Sequence, residues 1–321
     1  MHASKSVTYR QDIQGLRAIA VLLVFFSHTD ITWLSGGFIG VDVFFVISGY
    51  LITGLLVEEY RNTGAIKLRN FYIRRFRRLA PCLAVVLLTT TILASLCFPI
   101  KDAALLTASL PFASTWISNI YFAKQDIDYF DELSTNDIFL HTWSLGVEEQ
   151  FYLIWPVIAL VCLRKLARLD LKTMILLATL VSAIFALYWS LRNTTYSFYL
   201  TPSRIWQFSL GALTYIYSQG HSTKSHRLFP TSRHANIMLS AGLALILASA
   251  FLLKKTTPHL AFWIAIPSFG AACILTLKKN LLTQNYLTQT VLTYLGNRSY
   301  SVYLWHWPVI VILGQLGIDS S

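Results

Sequence analysis

Apolar residues run along this chain in long blocks, neither in the alternation of a half-buried strand nor in the narrow stripe of a surface helix. Blocks of spanning length fall near residues 13–31, 38–57, 80–98, 146–163, 172–190, 204–218, 236–253, 260–277 and 298–316. A bilayer core of about 30 Å needs about 20 apolar residues in helix, because each adds only about 1.5 Å of rise. The pattern therefore predicts an all-α fold, a polytopic membrane helix bundle with about nine or ten spans. A further stretch, 105–123, is apolar with Trp116, Tyr121 and Phe122 inside a long loop over 99–140, and is expected to lie along the interface or dip into the bundle. No internal repeat and no low-complexity linker divides the chain, so 9–316 reads as one integral membrane domain between short tails, 1–8 and 317–321.

Charge changes that picture by orienting it. Only 13% of the 321 residues are charged, about half the share of a soluble domain. The net charge of +11 would suggest nucleic acid on a soluble protein, but on a helical membrane protein a Lys/Arg excess reports topology and lipid contact, so nucleic acid is set aside. With the N-terminus inside, 20 of the 26 Lys and Arg residues fall on the inner side; the remaining six are Lys101, Lys124, Arg192, Arg204, Lys254 and Lys255. A cytoplasmic N-terminus and an outward-facing loop 99–140 follow. The first block is not expected to be a cleaved signal peptide, since Asp30 and Trp33 stand where a small-x-small site would be. Cys82, Cys97, Cys162 and Cys273 have no CxxC spacing and no Cys/His partner pattern, so neither a disulfide framework nor a metal site is expected.

Polar groups inside apolar blocks are costly and mark candidate sites. Arg17 and His28 lie eleven residues apart, which on a helix is about 16 Å of rise with about 20° of rotation. Both therefore share one face; the same spacing also suits an arginine reaching for headgroups and a satisfied core histidine. Asp42, in the second block, falls at the depth of His28 and is expected to hold its imidazole as a general base for a sugar hydroxyl. Ser48-Gly49 reads either as a nucleophile on a turn or, with Thr53 and Gly54, as close helix contact. Arg74, Arg75, Arg77 and Arg78 suit topology, anionic lipid, or a phosphorylated cofactor gripped by guanidinium forks. His141, Trp143, Glu148, Glu149 and Tyr152 open the fourth block; the two carboxylates suit a helix start, and the set also suits a sugar at a cavity mouth. His306 sits mid-block between Trp305 and Trp307, a core histidine or a site residue.

Together, Arg17 with His28, Phe44-Phe45-x-x-Ser48-Gly49, the Arg74/Arg75/Arg78 cluster ending in Pro81, His141-Thr-Trp-Ser through Glu149-Gln-Phe-Tyr, and Ser299-Tyr-Ser-x-Tyr-Leu-Trp-His306-Trp-Pro308 resemble the membrane acyltransferase-3 family. Members of that family O-acetylate lipopolysaccharide O-antigen, peptidoglycan and other envelope glycans. The resemblance implies transfer of acetyl from cytoplasmic acetyl-CoA to a hydroxyl of a glycan at the bacterial inner membrane. It makes Arg17 and His28 the functional core, with Asp42 orienting His28. Arg17, Arg74, Arg75 and Arg78 are expected on the donor, and His141, Trp143, Glu148, Glu149 and Tyr152 at the acceptor. Relatives with this motif style usually add one more span and an outer SGNH-type domain, so a shortened form, with that domain separate or missing, is expected. A transporter using Arg17 and His28 as a relay, and an inactive shortened partner protein, are the alternatives.

Overall fold

The computed structural model describes residues 10–29, 32–129, 137–164, 169–220, 232–254, 256–257, 260–277 and 287–317. The tail 1–8, the residues after Gly317, Asp30, and the cations Lys165, Arg168, Lys224, Arg227, Lys255, Lys278 and Lys279 that entered the topology count lie outside them. The described chain is helical throughout, with no strand among the described residues. In chain order the helices are α1 (Gln11–Ser27), a 3₁₀ segment Thr32–Ile39, α2 (Gly40–Thr63), α3 (Leu68–Cys97), the short α4 (Ile100–Leu106), α5 (Leu110–Ser114) and α6 (Ser118–Lys124), then α7 (Trp143–Leu163) and α8 (Leu171–Ser190). They are followed by α9 (Thr194–Tyr199), α10 (Thr201–Gly220), α11 (Ser232–Leu252), α12 (Leu260–Trp263), α13 (Ala265–Thr276), α14 (Thr290–Asn297) and α15 (Ser299–Gln315).

Among the described residues five helical stretches are long and apolar enough to cross a membrane: Trp33–Thr63, Leu68–Cys97, Leu140–Leu163, Leu171–Ser190 and Arg233–Leu252. The other four expected blocks fold differently. The first and last make helices of 17 residues, and 260–277 breaks into α12 and α13. The block at 204–218 becomes α10, which carries Ser203, Arg204, Gln207, Ser209 and Thr214 buried inside the protein. Five such stretches fall short of the expected nine or ten, and the helices differ in whether their apolar faces turn outward or into the protein.

That distinction is visible in the packing. On α3 the row Leu88, Ile92 and Leu96, spaced one turn apart, is exposed, as are Leu180, Val181 and Ile184 on α8. Helices with apolar side chains outward suit a hydrocarbon surround. α2 is the opposite: 83% of its apolar window is buried. It lies against α10 so closely that a Cβ on Gly49 would overlap the Phe208 carbonyl and one on Gly211 the Val46 carbonyl. The close-contact reading of Gly49 and Gly54 is thus the one the fold uses, with Gly54 against the Tyr215 ring. α2 ends at Gly64, whose φ of 69° is the left-handed cap that glycine reaches without a Cβ penalty.

The loop 99–140 dips in. Asn119 of α6 is fully buried; its amide donates to the Tyr199 carbonyl at 3.2 Å and to Thr201 Oγ1 at 3.3 Å, while its Oδ1 accepts from Gln150 at 2.9 Å. Asp137 pins the return into α7, accepting from Ser109 Oγ at 2.6 Å and from the Phe139 amide at 2.8 Å. Burial pushes its carboxyl up to about 6, outweighing these bonds, which favour the charged form.

Candidate functional site

Two cavities lie back to back in the bundle. The first, about 780 Å³ including its open mouth, is bordered by Arg17 of α1, Ser48 of α2, Arg75 and Arg78 of α3, and Glu148 and Tyr152 of α7. Side-chain direction, not sequence spacing, separates the arginines: Arg75 and Arg78 border this cavity, whereas Arg74, one turn from Arg78, reaches Glu59 at 3.8 Å and does not border it. The expectation that Arg74 joins the donor site is therefore corrected; Arg75 and Arg78 carry the cationic wall. Arg75 stacks over the Tyr152 ring at 4.6 Å, and Ser48 and Tyr152 each donate to Glu148 Oε1, their own oxygens 2.9 Å apart. With three guanidiniums against one carboxylate, this cavity selects anions.

The second cavity, about 1120 Å³ on the same measure, is bordered by Tyr129, Trp143, Tyr199, Ser203, Arg204 and Trp206 among others. Val41 borders both cavities, and along α7 the adjacent Trp143 and Ser144 face opposite ones. The partition between them is aromatic: Phe45 meets Trp143 edge-on at 6.2 Å and stacks on Phe208 at 4.8 Å.

His28 caps the end of α1 and borders neither cavity directly. Its Nδ1 lies 2.8 Å from the Val24 carbonyl, which can only accept, so Nδ1 carries the hydrogen. Nε2 is left with its lone pair and takes the Tyr129 hydroxyl at 2.8 Å; Tyr129 lies on the wall of the larger cavity. A neutral imidazole with its acceptor nitrogen turned to that wall is the form a general base needs. The backbone, not Asp42, sets this tautomer. Asp42 is instead sealed on α2, accepting from Arg204 Nη1 at 3.0 Å and from Gln207 Nε2 at 2.6 Å, so its expected role at His28 is corrected. α2 turns the carboxylate towards α10.

The remaining expected residues divide. Glu148 and Tyr152 border the arginine cavity and not the larger one, Trp143 borders the larger one, and Glu149 borders neither. His141 is buried beside His306, ring centroids 5.6 Å apart, and His306 is 5.4 Å from His28. His306 Nδ1 bonds the Tyr303 carbonyl, leaving a buried Nε2 with no partner. Tyr303 in turn sits 2.6 Å from Ser144 Oγ, on the arginine cavity. Among the described residues no group of three or more His, Cys, Asp or Glu is placed to hold a metal ion. Arg204, counted only for topology, Tyr303, quoted only within a motif, and Tyr129 and Tyr199 were not among the candidate site residues. Arg204 could have been found as a lone charge opening an apolar block; Tyr129, in a polar loop, carried no signal.

A bundle of outward-apolar and enclosed helices around a cationic cavity and an aromatic, hydroxyl-lined one is the architecture of a multi-pass membrane protein with two interior cavities. The acyltransferase-domain family model matches residues 10–321, and the chain belongs to that acyltransferase-3 family. It is 35% identical over 323 residues to the peptidoglycan O-acetyltransferase OatA of Listeria monocytogenes, covering 95% of this chain and 50% of that protein. It is 31% identical over 328 residues to the O-acetyltransferase OatA of Staphylococcus aureus, covering 98% of this chain and 53% of that protein. The chain thus spans about half the length of the curated relatives it matches. No solved structure matches it. The described fold is thus that of an acyltransferase domain of this family.

Proposed function

We propose that this protein is an O-acetyltransferase that moves an acetyl group from acetyl-CoA, bound by its phosphates in the arginine cavity, to a hydroxyl of a cell-envelope glycan reached from the larger cavity. The observation that carries the reading is the pair of back-to-back cavities with opposite chemistry, one cationic and one hydroxyl-lined, in a chain of this family. Arg17, Arg75 and Arg78 grip the donor; His28, backed by the Val24 carbonyl, takes the proton of the attacking alcohol. The alcohol oxygen bonds to the thioester carbonyl carbon, the carbon–sulfur bond breaks, and the proton leaves on the coenzyme A thiol. The Lys/Arg distribution supports an inner-membrane protein with a cytoplasmic N-terminus, which puts the arginine cavity on the cytoplasmic side where the donor is made. The acceptor is an envelope polysaccharide or lipid-linked glycan; the Listeria relative acts on peptidoglycan, and lipopolysaccharide O-antigen has the same hydroxyl chemistry. An outer SGNH-type partner domain, on a separate or longer chain, would complete delivery.

The test supplies labelled acetyl-CoA to membranes holding the protein and follows label into glycan. Wild type transfers, while His28→Ala at equal membrane level does not. A fully active His28→Ala, or no transfer by wild type to any envelope glycan fraction, overturns the reading.

A further inference from the structure

Acetyl transfer breaks an O–H bond on the side of the larger cavity and forms an S–H bond in the arginine cavity, so each turnover moves one proton between them. At the partition, the ring contacts of Phe45 with Trp143 and Phe208 bar it from crossing as a hydrated ion. A second line of side chains runs between the same two cavities, and it is made of groups that carry protons. His28, bonded at 2.8 Å to Tyr129 on the wall of the larger cavity, lies 5.4 Å from His306 between ring centroids. His306 lies 5.6 Å from His141, and His141 lies 5.7 Å from Tyr303 on the same measure. The Tyr303 hydroxyl is 2.6 Å from Ser144 Oγ, with either oxygen able to donate, and both residues border the arginine cavity. All four residues beyond His28 are buried.

The hydrogens on these rings suit a relay. His306 Nδ1 faces the Tyr303 carbonyl, which can only accept, so Nδ1 carries the hydrogen and Nε2 keeps its lone pair. Nε2 is thus the nitrogen that takes a proton. Among the described residues, neither it nor either nitrogen of His141 has a hydrogen-bond partner. His141 can therefore accept at one nitrogen and release from the other, with a small ring rotation or one bridging water closing each gap. Ionisable side chains inside an apolar bundle are costly and mark proton pathways. We propose that His306 and His141 form a proton relay that carries the proton taken by His28 through Tyr303 and Ser144 to the departing thiolate. The alcohol proton goes to His28 Nε2 and on along the line; the sulfur leaves with the carbon–sulfur electron pair and ends as the thiol. One proton passes per acetyl group, and no further reactant is needed. The direction of the relay rests on the transferase reading.

The test changes the leaving group. Inside-out membrane vesicles holding the full chain receive labelled acetyl-CoA or its selenoester analogue, and label is followed into glycan. A selenol is a far stronger acid than a thiol, so the selenolate departs without a proton. His306→Gln and His141→Gln are each expected to lose on the order of 10²-fold in kcat with acetyl-CoA at unchanged KM, and to recover most of it with the selenoester. Tyr303→Phe, which keeps the ring and removes only the hydroxyl, shows the same pattern, and decides the matter where a histidine variant fails to reach the membrane. Structural damage slows both donors alike. Equal losses with both donors, or Tyr303→Phe as fast as wild type on acetyl-CoA, overturns the relay and leaves the transferase reading standing. No transfer by wild type from either donor overturns both.

Discussion

The carboxylate of Asp42 and the guanidinium of Arg204 lie 3.0 Å apart, with side-chain exposures of 5% and 4%, and tie α2 to α10 from positions 162 residues apart. Removing one partner of such a pair strands a charge in the protein interior. Asp42→Ala is expected to cost about 3–5 kcal/mol, read as a lowered melting temperature in detergent. Adding Arg204→Ala recovers part of the loss, because the stranded charge goes with it. A single variant as stable as wild type would show that the pair contributes nothing.

Because Val24 rather than Asp42 fixes the His28 tautomer, substitutions at the two acids and bases separate. Among Asp42→Asn molecules that fold, the pH profile of acetyl transfer keeps its wild-type midpoint. His28→Gln loses on the order of 10²–10⁴ in rate, the range for a missing general base. Tyr129→Phe, which removes the hydroxyl 2.8 Å from Nε2, alters the rate without altering coenzyme A binding. Rates and binding measured on the same preparations decide the matter.

The arginines differ in surroundings: Arg75 and Arg78 border the cavity and Arg74 does not. Arg75→Ala and Arg78→Ala are each expected to raise the KM for acetyl-CoA by roughly tenfold, the value of a charge-assisted hydrogen bond. Arg74→Ala, whose side chain reaches Glu59 at the surface at 3.8 Å, changes it less than twofold, as a surface pair does. Equal effects at all three positions would remove the geometric distinction.

Asp137 supplies a pH dependence of folding. Its carboxyl is raised from 3.8 to about 6, so the folded protein holds the proton more tightly than the unfolded chain. The stability this contributes is full below pH 3.8 and is lost as pH rises through 6. Asp137→Asn keeps a carbonyl acceptor for Ser109 and Phe139 and removes the ionisation. Its melting temperature is expected to be flatter than that of wild type between pH 5 and pH 7, by thermal melts across that window.

Gly49→Ala places a methyl on the Phe208 carbonyl, where only main-chain movement can make room. A loss of about 1–3 kcal/mol is expected from overpacking, against little change for Gly314→Ala, where nothing lies within 4 Å. Melts of the two variants give the comparison.

Much of this architecture was legible in the residue pattern. Long apolar blocks announced helices, and Arg17 and His28 on one helix pointed at a polar interior that exists. The arginine cluster was visible as a group, but spacing along the helix did not separate Arg74 from Arg75 and Arg78, since 74 and 78 lie one turn apart. What failed was tertiary. Depth along two helices put Asp42 beside His28, but rotation about α2, set by the glycine contacts with α10, carried it to Arg204 instead. Glu148 and Tyr152 were placed with the acceptor because α7 opens near the polar loop, yet their face turns to the arginines. Tyr129 lay in a loop whose inward fold depends on Asn119 and Asp137 finding partners far along the chain, and no local signal encodes that.

The ring-packed partition at Val41, Phe45 and Trp143 has a consequence for the cell. An open water column joining the two chambers would short-circuit an energised membrane, since hydrated ions pass any continuous wet channel. Apolar rings in close contact deny ions their hydration shells, and so insulate one compartment from the other. On the proposed reaction, an acetyl group passes that barrier as a small uncharged fragment carried by covalent bonds, and the electrical gradient is retained.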